Sequence, residues 1–126
     1  MGPTPDASSS VEHRHLCEKY FEALESGNGP DAAALFSVDG VLDDLIGAQH
    51  AGRTQIEEFI SGRPELTLEV PLNLIETPKR INYYGRIHFG IGTVVKVRWI
   101  FTFDGDLIGH LSNSQVRVLQ GVAKDE

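Results

Sequence analysis

The apolar and polar positions along the chain fall into two stretches with different periods. From Val11 to Glu25 the apolar residues Val11, Leu16, Tyr20, Phe21 and Leu24 recur at helical spacing, which predicts a helix with one buried face. Ser10 stands where a side chain can cap its start, and Ser26-Gly27-Asn28-Gly29 where a glycine can close it. Pro30 opens a second short helix that continues through Phe36 and stops at Asp39-Gly40. Val41 to Ile46 reads as a short extended segment and Gly47 to Gly52 as a loop. Arg53 to Ser61 is a third helix, with Ile56, Phe59 and Ile60 on one side and Glu57 and Glu58 on the other. Beyond Gly62-Arg63-Pro64 the period falls to two. Leu66 to Ile75, Arg80 to Phe89, Thr93 to Phe103 and Leu107 to Leu119 then predict strands, with Pro71 marking an edge or a bulge in the first. Turns are expected at Thr77-Pro78-Lys79, Gly90-Ile91-Gly92 and Asp104-Gly105-Asp106.

Helices first and strands after predict the α+β class: a curved, mixed or antiparallel sheet packed on three N-terminal helices, forming a cone that encloses a cavity. A length of 126 residues corresponds to one domain. Residues 1–10, small, polar and proline-bearing, predict a flexible tail; residues 11–120 form the domain, and residues 121–126 a polar C-terminal tail.

Charge and composition narrow the partners. A formal charge of −7 argues against nucleic acid or an anionic membrane surface, since both attract basic patches. No apolar run reaches membrane-spanning length, and the N-terminus lacks the basic and apolar stretches of a secretory signal. The single cysteine, Cys17, fits a reducing compartment, so a cytoplasmic protein is expected; its place in a helical pattern reads as a small buried hydrophobe. The histidines are scattered without metal-ligand spacing, with His13 and His15 at the exposed start of the first helix. Gly90-Ile91-Gly92 lies in a hairpin rather than before a helix, so it is not a nucleotide fingerprint. No nucleophile elbow occurs. Neither a metal nor a cofactor is expected.

The stretch with candidate chemistry is Leu42-Asp43-Asp44-Leu45-Ile46-Gly47, two carboxylates in an apolar run. A carboxylate carried into apolar surroundings resists ionising, which raises its pKa toward the range useful for proton transfer. Strand parity sends Asp44 into the cavity and Asp43 to solvent. The alternative for Asp44 is an end-of-strand aspartate that caps the loop at Gly47.

This segment, the Tyr-x-x-Ala-Leu-x-x-Gly segment from Tyr20 to Gly27 and the order of elements from Val11 to Leu119 resemble the ketosteroid isomerase branch of the nuclear transport factor 2-like (SnoaL-like) superfamily. The resemblance implies a cone-shaped α+β fold, often a homodimer through the sheet, hosting isomerases, polyketide cyclases, epoxide hydrolases, dehydratases and members that only bind ligands. It places Asp44 where the isomerases keep a proton-shuttling aspartate, and Tyr20 where they keep a tyrosine that donates to the developing oxyanion. The family's second oxyanion acid is replaced by Trp99, whose indole has one N–H donor and no acidity. Phe36 and Ile60 stand where some members keep supporting tyrosines.

The remaining candidates follow from parity. Val95, Val97, Trp99, Phe101 and Phe103 share one face of the long strand, and Lys96, Arg98 and Thr102 the other. With Phe36 and Phe59, Val97, Trp99 and Phe101 are expected to line the cavity. On the last strand His110, Ser112 and Ser114 share the parity of Ile108, which the resemblance implies faces the cavity, so they are expected on its wall, with His110 as a second acid/base group. His50 reads as a solvated loop histidine. The resemblance implies that an epoxide hydrolase of this superfamily pairs aspartates with an arginine in the pocket, and Arg86 and Arg98 are the candidates. The expected function is therefore cofactor-independent acid/base chemistry, isomerisation or cyclisation, on a hydrophobic oxygenated small molecule. A non-catalytic binding module and an epoxide hydrolase are the alternatives.

Overall fold

The computed structural model describes residues 5–70, 74–77, 79–90 and 92–116. In chain order these form α1 (Pro5–Ser26), α2 (Gly29–Ala34), β1 (Phe36–Asp43), β2 (Gln49–Ala51), α3 (Arg53–Ser61), β3 (Leu66–Glu69), β4 (Leu74–Thr77), β5 (Arg80–Phe89), β6 (Val94–Asp104) and β7 (Leu107–Gln115). The strands make one seven-stranded sheet in the order β2-β1-β7-β6-β5-β3, with β4 also on β5. All pairings are antiparallel except β1 with β7, so the sheet is mixed. Three helices pack on its curved face, as the α+β expectation holds.

α1 buries a stripe at helical spacing, Cys17, Tyr20, Phe21 and Leu24, against the sheet. Gly27, at φ 69°, closes it in the left-handed conformation, and the Asn28 amide reaches back to the Ala23 carbonyl at 2.8 Å. The helix begins at Pro5, not at Val11, because a proline is tolerated in the first turn. His13 is not exposed, as expected, but buried: its ring stacks on Phe103 at 3.8 Å and Nε2 meets the Gly105 carbonyl at 2.9 Å. α2 is capped by the Asn28 side chain, which accepts from the Asp31 amide. It lies so close to α3 that any Cβ at Gly29 would meet Ser61 Oγ and the Glu57 carbonyl.

α2 ends at Ala34, and Phe36 already belongs to β1, paired with Ile108. The expected strand from Leu66 to Ile75 is two strands, both on β5. Pro71, Ile91 and residues 117–126, with the expected ends of the last strand and of the domain, lie outside the described residues.

On β6 the parity holds: Val97, Trp99 and Phe101 are fully buried under the helices. On β7 it breaks. Phe103 pairs with Ile108 and Thr102 with His110, which leaves Gly109 as an extra residue, a β-bulge. Downstream of it the inward positions are Leu111 and Asn113, opposite Phe101 and Trp99. His110, Ser112 and Ser114 therefore face away from the helices, which corrects their expected place on the cavity wall.

Candidate functional site

The site grows from the β1–β2 hairpin. Leu42 pairs with His50 and Asp43 with Gln49, so the residues between them form a tight loop, closed by Gly47 at φ 87°. The parity of β1 separates the two aspartates, as expected. Asp43 stays on the outer side, where Oδ2 lies 2.7 Å from Nε2 of the exposed His110. Asp44 turns inward and is 7% exposed.

Asp44 is held on three sides. Oδ1 accepts the Ile46 and Ala48 amides at 3.0 and 2.9 Å, and Oδ2 lies 2.9 Å from His50 Nε2. Burial alone would push the carboxyl up. The hydrogen bonds from His50, Ala48 and Ile46 outweigh it, and the pKa lies below the ordinary aspartate value. The expected upward shift is thus reversed, because these donors stabilise the charged form. The loop-capping alternative correctly describes one oxygen; the other is engaged by a histidine. Stability follows with a definite sign. A folded-state pKa lowered below its unfolded value adds stability above the unfolded pKa and loses it as pH falls through the folded one. The denaturant midpoint should therefore drop as pH is taken below about 4, and Asp44→Asn should flatten that part of the curve in urea titrations.

A small chamber opens beside the hairpin. Its polar lining is Tyr20, Asp44, Arg63 and Asn113, and its apolar lining Leu24, Leu45, Phe59, Leu66 and Ile87. Its free volume is about 20 Å³, room for about one water molecule. Burial pushes the Tyr20 phenol up, while the Arg63 guanidinium pulls it back, so the hydroxyl stays a donor at neutral pH. Arg63 is fixed by stacking, its Cζ 4.9 Å from the centre of the Phe59 ring and 5.9 Å from that of Phe89. The His50 ring packs on the same aromatic as Arg63, 4.2 Å from Phe59 centre to centre.

Of the sequence candidates, the structure brings Tyr20, Asp44 and Phe59 to the chamber. Phe36, Val97, Trp99 and Phe101 are absent from its wall and sit behind it in the core, against the expectation that they line the cavity. Phe21 packs edge-on to Trp99 at 5.0 Å, and Trp99 Nε1 is buried with no hydrogen-bond partner among the described residues. Neither Arg86, which pairs with Glu69 at 3.2 Å, nor Arg98 lines the chamber. The sequence reading missed His50, Arg63 and Asn113. Two signals were available. A hairpin through Gly47 would put His50 across from Leu42 and hence on the face of Asp44, and a glycine inside a strand pattern marks the bulge that turns Asn113 inward. Among the described residues no three His, Cys, Asp or Glu side chains gather as metal ligands, and no helix is long and apolar enough to cross a membrane.

No family model and no curated protein matches the chain. Solved structures do. A protein from Sphaerobacter thermophilus superposes with a TM-score of 0.75 at 27% identity, over 82% of this chain and 94% of that one. A candidate ketosteroid isomerase from Kribbella flavida gives 0.74 at 18% identity, over 86% and 81%. An NTF2-like protein of unknown function from Cytophaga hutchinsonii gives 0.70 at 14%, over 88% and 94%. An LEH-like epoxide hydrolase from M. tuberculosis and a candidate polyketide cyclase from Sinorhizobium meliloti are also among the neighbours. The helices, the mixed sheet with β1 parallel to β7, and these superpositions together give the chain the nuclear transport factor 2-like α+β cone fold.

Proposed function

We propose that this protein is a cofactor-independent enzyme that moves a proton on a small oxygenated molecule, in an isomerisation or a cyclisation. The observation that carries the reading is that Tyr20 and Asp44 line one chamber while Asp44 is hydrogen-bonded to His50. Asp44 is the member of the pair in the chamber wall. With its pKa lowered it is ionised at neutral pH, and a carboxylate of that kind is a weak base by itself. Bound to an imidazole it is part of a two-group acceptor, in which a proton taken at the chamber is shared with the histidine. The Tyr20 hydroxyl, with Arg63 near it, supplies donor and positive charge for an oxygen that becomes negative in the reaction. Neighbours described as isomerase and cyclase support the reaction class without choosing between its members.

The test is Asp44→Asn, assayed for turnover and by circular dichroism. Asparagine keeps one oxygen for the two loop amides, so the fold is expected to persist while most turnover is lost. Full activity of this variant would sink the reading. One observation favours a second reading, a binding module without catalysis: a carboxylate whose oxygens are already hydrogen-bonded. Arg63, which lines the same chamber as Asp44, supports the epoxide hydrolase alternative in place of Arg86 and Arg98.

A further inference from the structure

Beside the chamber lies an open groove of about 550 Å³ that the acid/base reading leaves unused. Its position follows from the topology. β1 stops at Asp43, opposite Ser112, whereas β7 runs on to Gln115 paired only with β6. In the gap left by β1, Ser112, Asn113, Ser114 and Gln115, all bearing hydroxyl or amide side chains, line the groove. Groove and chamber share Asp44, Leu45 and Asn113. Asp44 is tied to the loop amides and His50, and Asn113 Nδ2 donates to the Asp43 carbonyl at 2.9 Å. Leu45 has no polar anchor in its side chain, and its neighbour Ile46 is 90% exposed at the tip of the hairpin. Displacing Leu45 would join the two spaces.

We infer that chamber and groove are two halves of one site for an uncharged amphipathic molecule. Its apolar end takes the space that the Leu45 side chain vacates at the mouth of the chamber, its hydroxylated end (a sugar or polyol) lies along Ser112 and Ser114, and Leu45 is the wall that gives way. This names the substrate class for the proposed enzyme and rests on that reading for the location of the reacting end. The absence of charge follows from the groove's own chemistry. Asp43 is already engaged by His110 at 2.7 Å and by Gln49 at 3.3 Å, and Asp44 by three donors, so neither carboxylate is left over for a cation. Among the described residues no lysine or arginine lines the groove to attract an anion. Hydroxyls and amides, which both donate and accept, match the hydroxyls of a ligand.

Backbone amide NMR of the full chain tests this, with n-octyl β-D-glucoside below its micelle concentration and 1-octanol as separate probes. The glucoside is expected to bind about tenfold more tightly, the equivalent of one to two net hydrogen bonds. It should shift the amides of Ser112 to Gln115 together with those around the chamber, whereas octanol shifts the chamber set alone. Leu45→Ala should tighten both probes, and the double replacement Ser112→Val, Ser114→Val should remove the glucoside's advantage and leave octanol unchanged. Equal affinity for the two probes overturns the inference, as does a preference that survives the double replacement. Failure of both probes to bind wild type and Leu45→Ala overturns it too. Turnover separates this from the catalytic reading. A fully active Asp44→Asn with an intact glucoside preference removes Asp44 as the proton acceptor and keeps the two-part site; an inactive Asp44→Asn with equal probe affinities does the reverse.

Discussion

Replacing His50 by glutamine is expected to lower turnover by roughly two to four powers of ten, the usual contribution of a positioned acid/base group. Glutamine can still donate to Asp44 Oδ2, which His50 Nε2 approaches at 2.9 Å, so the hairpin keeps that contact. It cannot hold the proton. The decisive measurement is the combination with Asp44→Asn. If the two residues acted independently, the losses would multiply. A pair that shares one proton fails when either member is removed, and the double variant is then no slower than the worse single variant within about threefold. Full multiplication would show two separate roles. A fully active His50→Gln would leave Asp44 to act alone, with its hydrogen-bonded oxygens and depressed pKa, and would remove the two-group acceptor. Each variant's unfolding curve should accompany the rates, since Asp44 also organises the loop through the Ile46 and Ala48 amides.

How far the sequence reached is visible in particular residues. α3, Arg53–Ser61, and β5, Arg80–Phe89, have the bounds that periodicity predicts, because each carries an uninterrupted pattern between clear punctuators. The split of Asp43 from Asp44 also followed from local parity. What failed depended on one residue of backbone irregularity. Gly109 adds a residue to β7, and every side chain after it changes face; a parity argument started at Ile108 therefore sends His110, Ser112 and Ser114 to the wrong side. The environment of Asp44 failed for a different reason. Burial was legible from the apolar run, but the compensating donors come from two loop amides and a histidine six residues on, and those are set by the turn geometry at Gly47. Burial and hydrogen bonding act in opposite directions on a carboxylate, so seeing only the first gives the wrong sign. The cone's inner wall was overcounted likewise. Phe36, Val97, Trp99 and Phe101 do face inward, yet Tyr20 and Phe21 fill the space before them.

Tyr20→Phe is expected to reduce kcat by about two to three powers of ten, the loss associated with one oxyanion donor. The ring contributes to folding and the hydroxyl to the chamber, and the substitution separates them. The edge-on contacts of the ring with Phe21, Phe36 and Phe101, at centroid distances of 5.8, 6.2 and 5.7 Å, persist in phenylalanine. Stability should therefore change by no more than about 1 kcal/mol, the net scale of a single hydrogen bond. Trp99→Phe is the matched control. Trp99 is fully buried behind the chamber with its N–H unpartnered among the described residues, so losing that donor removes an unsatisfied group while the smaller ring leaves a void. The void should cost about 1–3 kcal/mol and leave kcat within a few-fold of wild type. If Trp99→Phe instead lowers kcat as Tyr20→Phe does, the indole reaches the substrate and the core in this region opens when ligand enters. If Tyr20→Phe leaves kcat unchanged and only Trp99→Phe acts, the oxyanion role passes from the helix to the sheet. With Tyr20 alone sensitive, the developing charge is met by the phenol of α1 with Arg63 beside it, and an arginine after α3 takes the electrostatic part that the resemblance assigns to a second acid on β6.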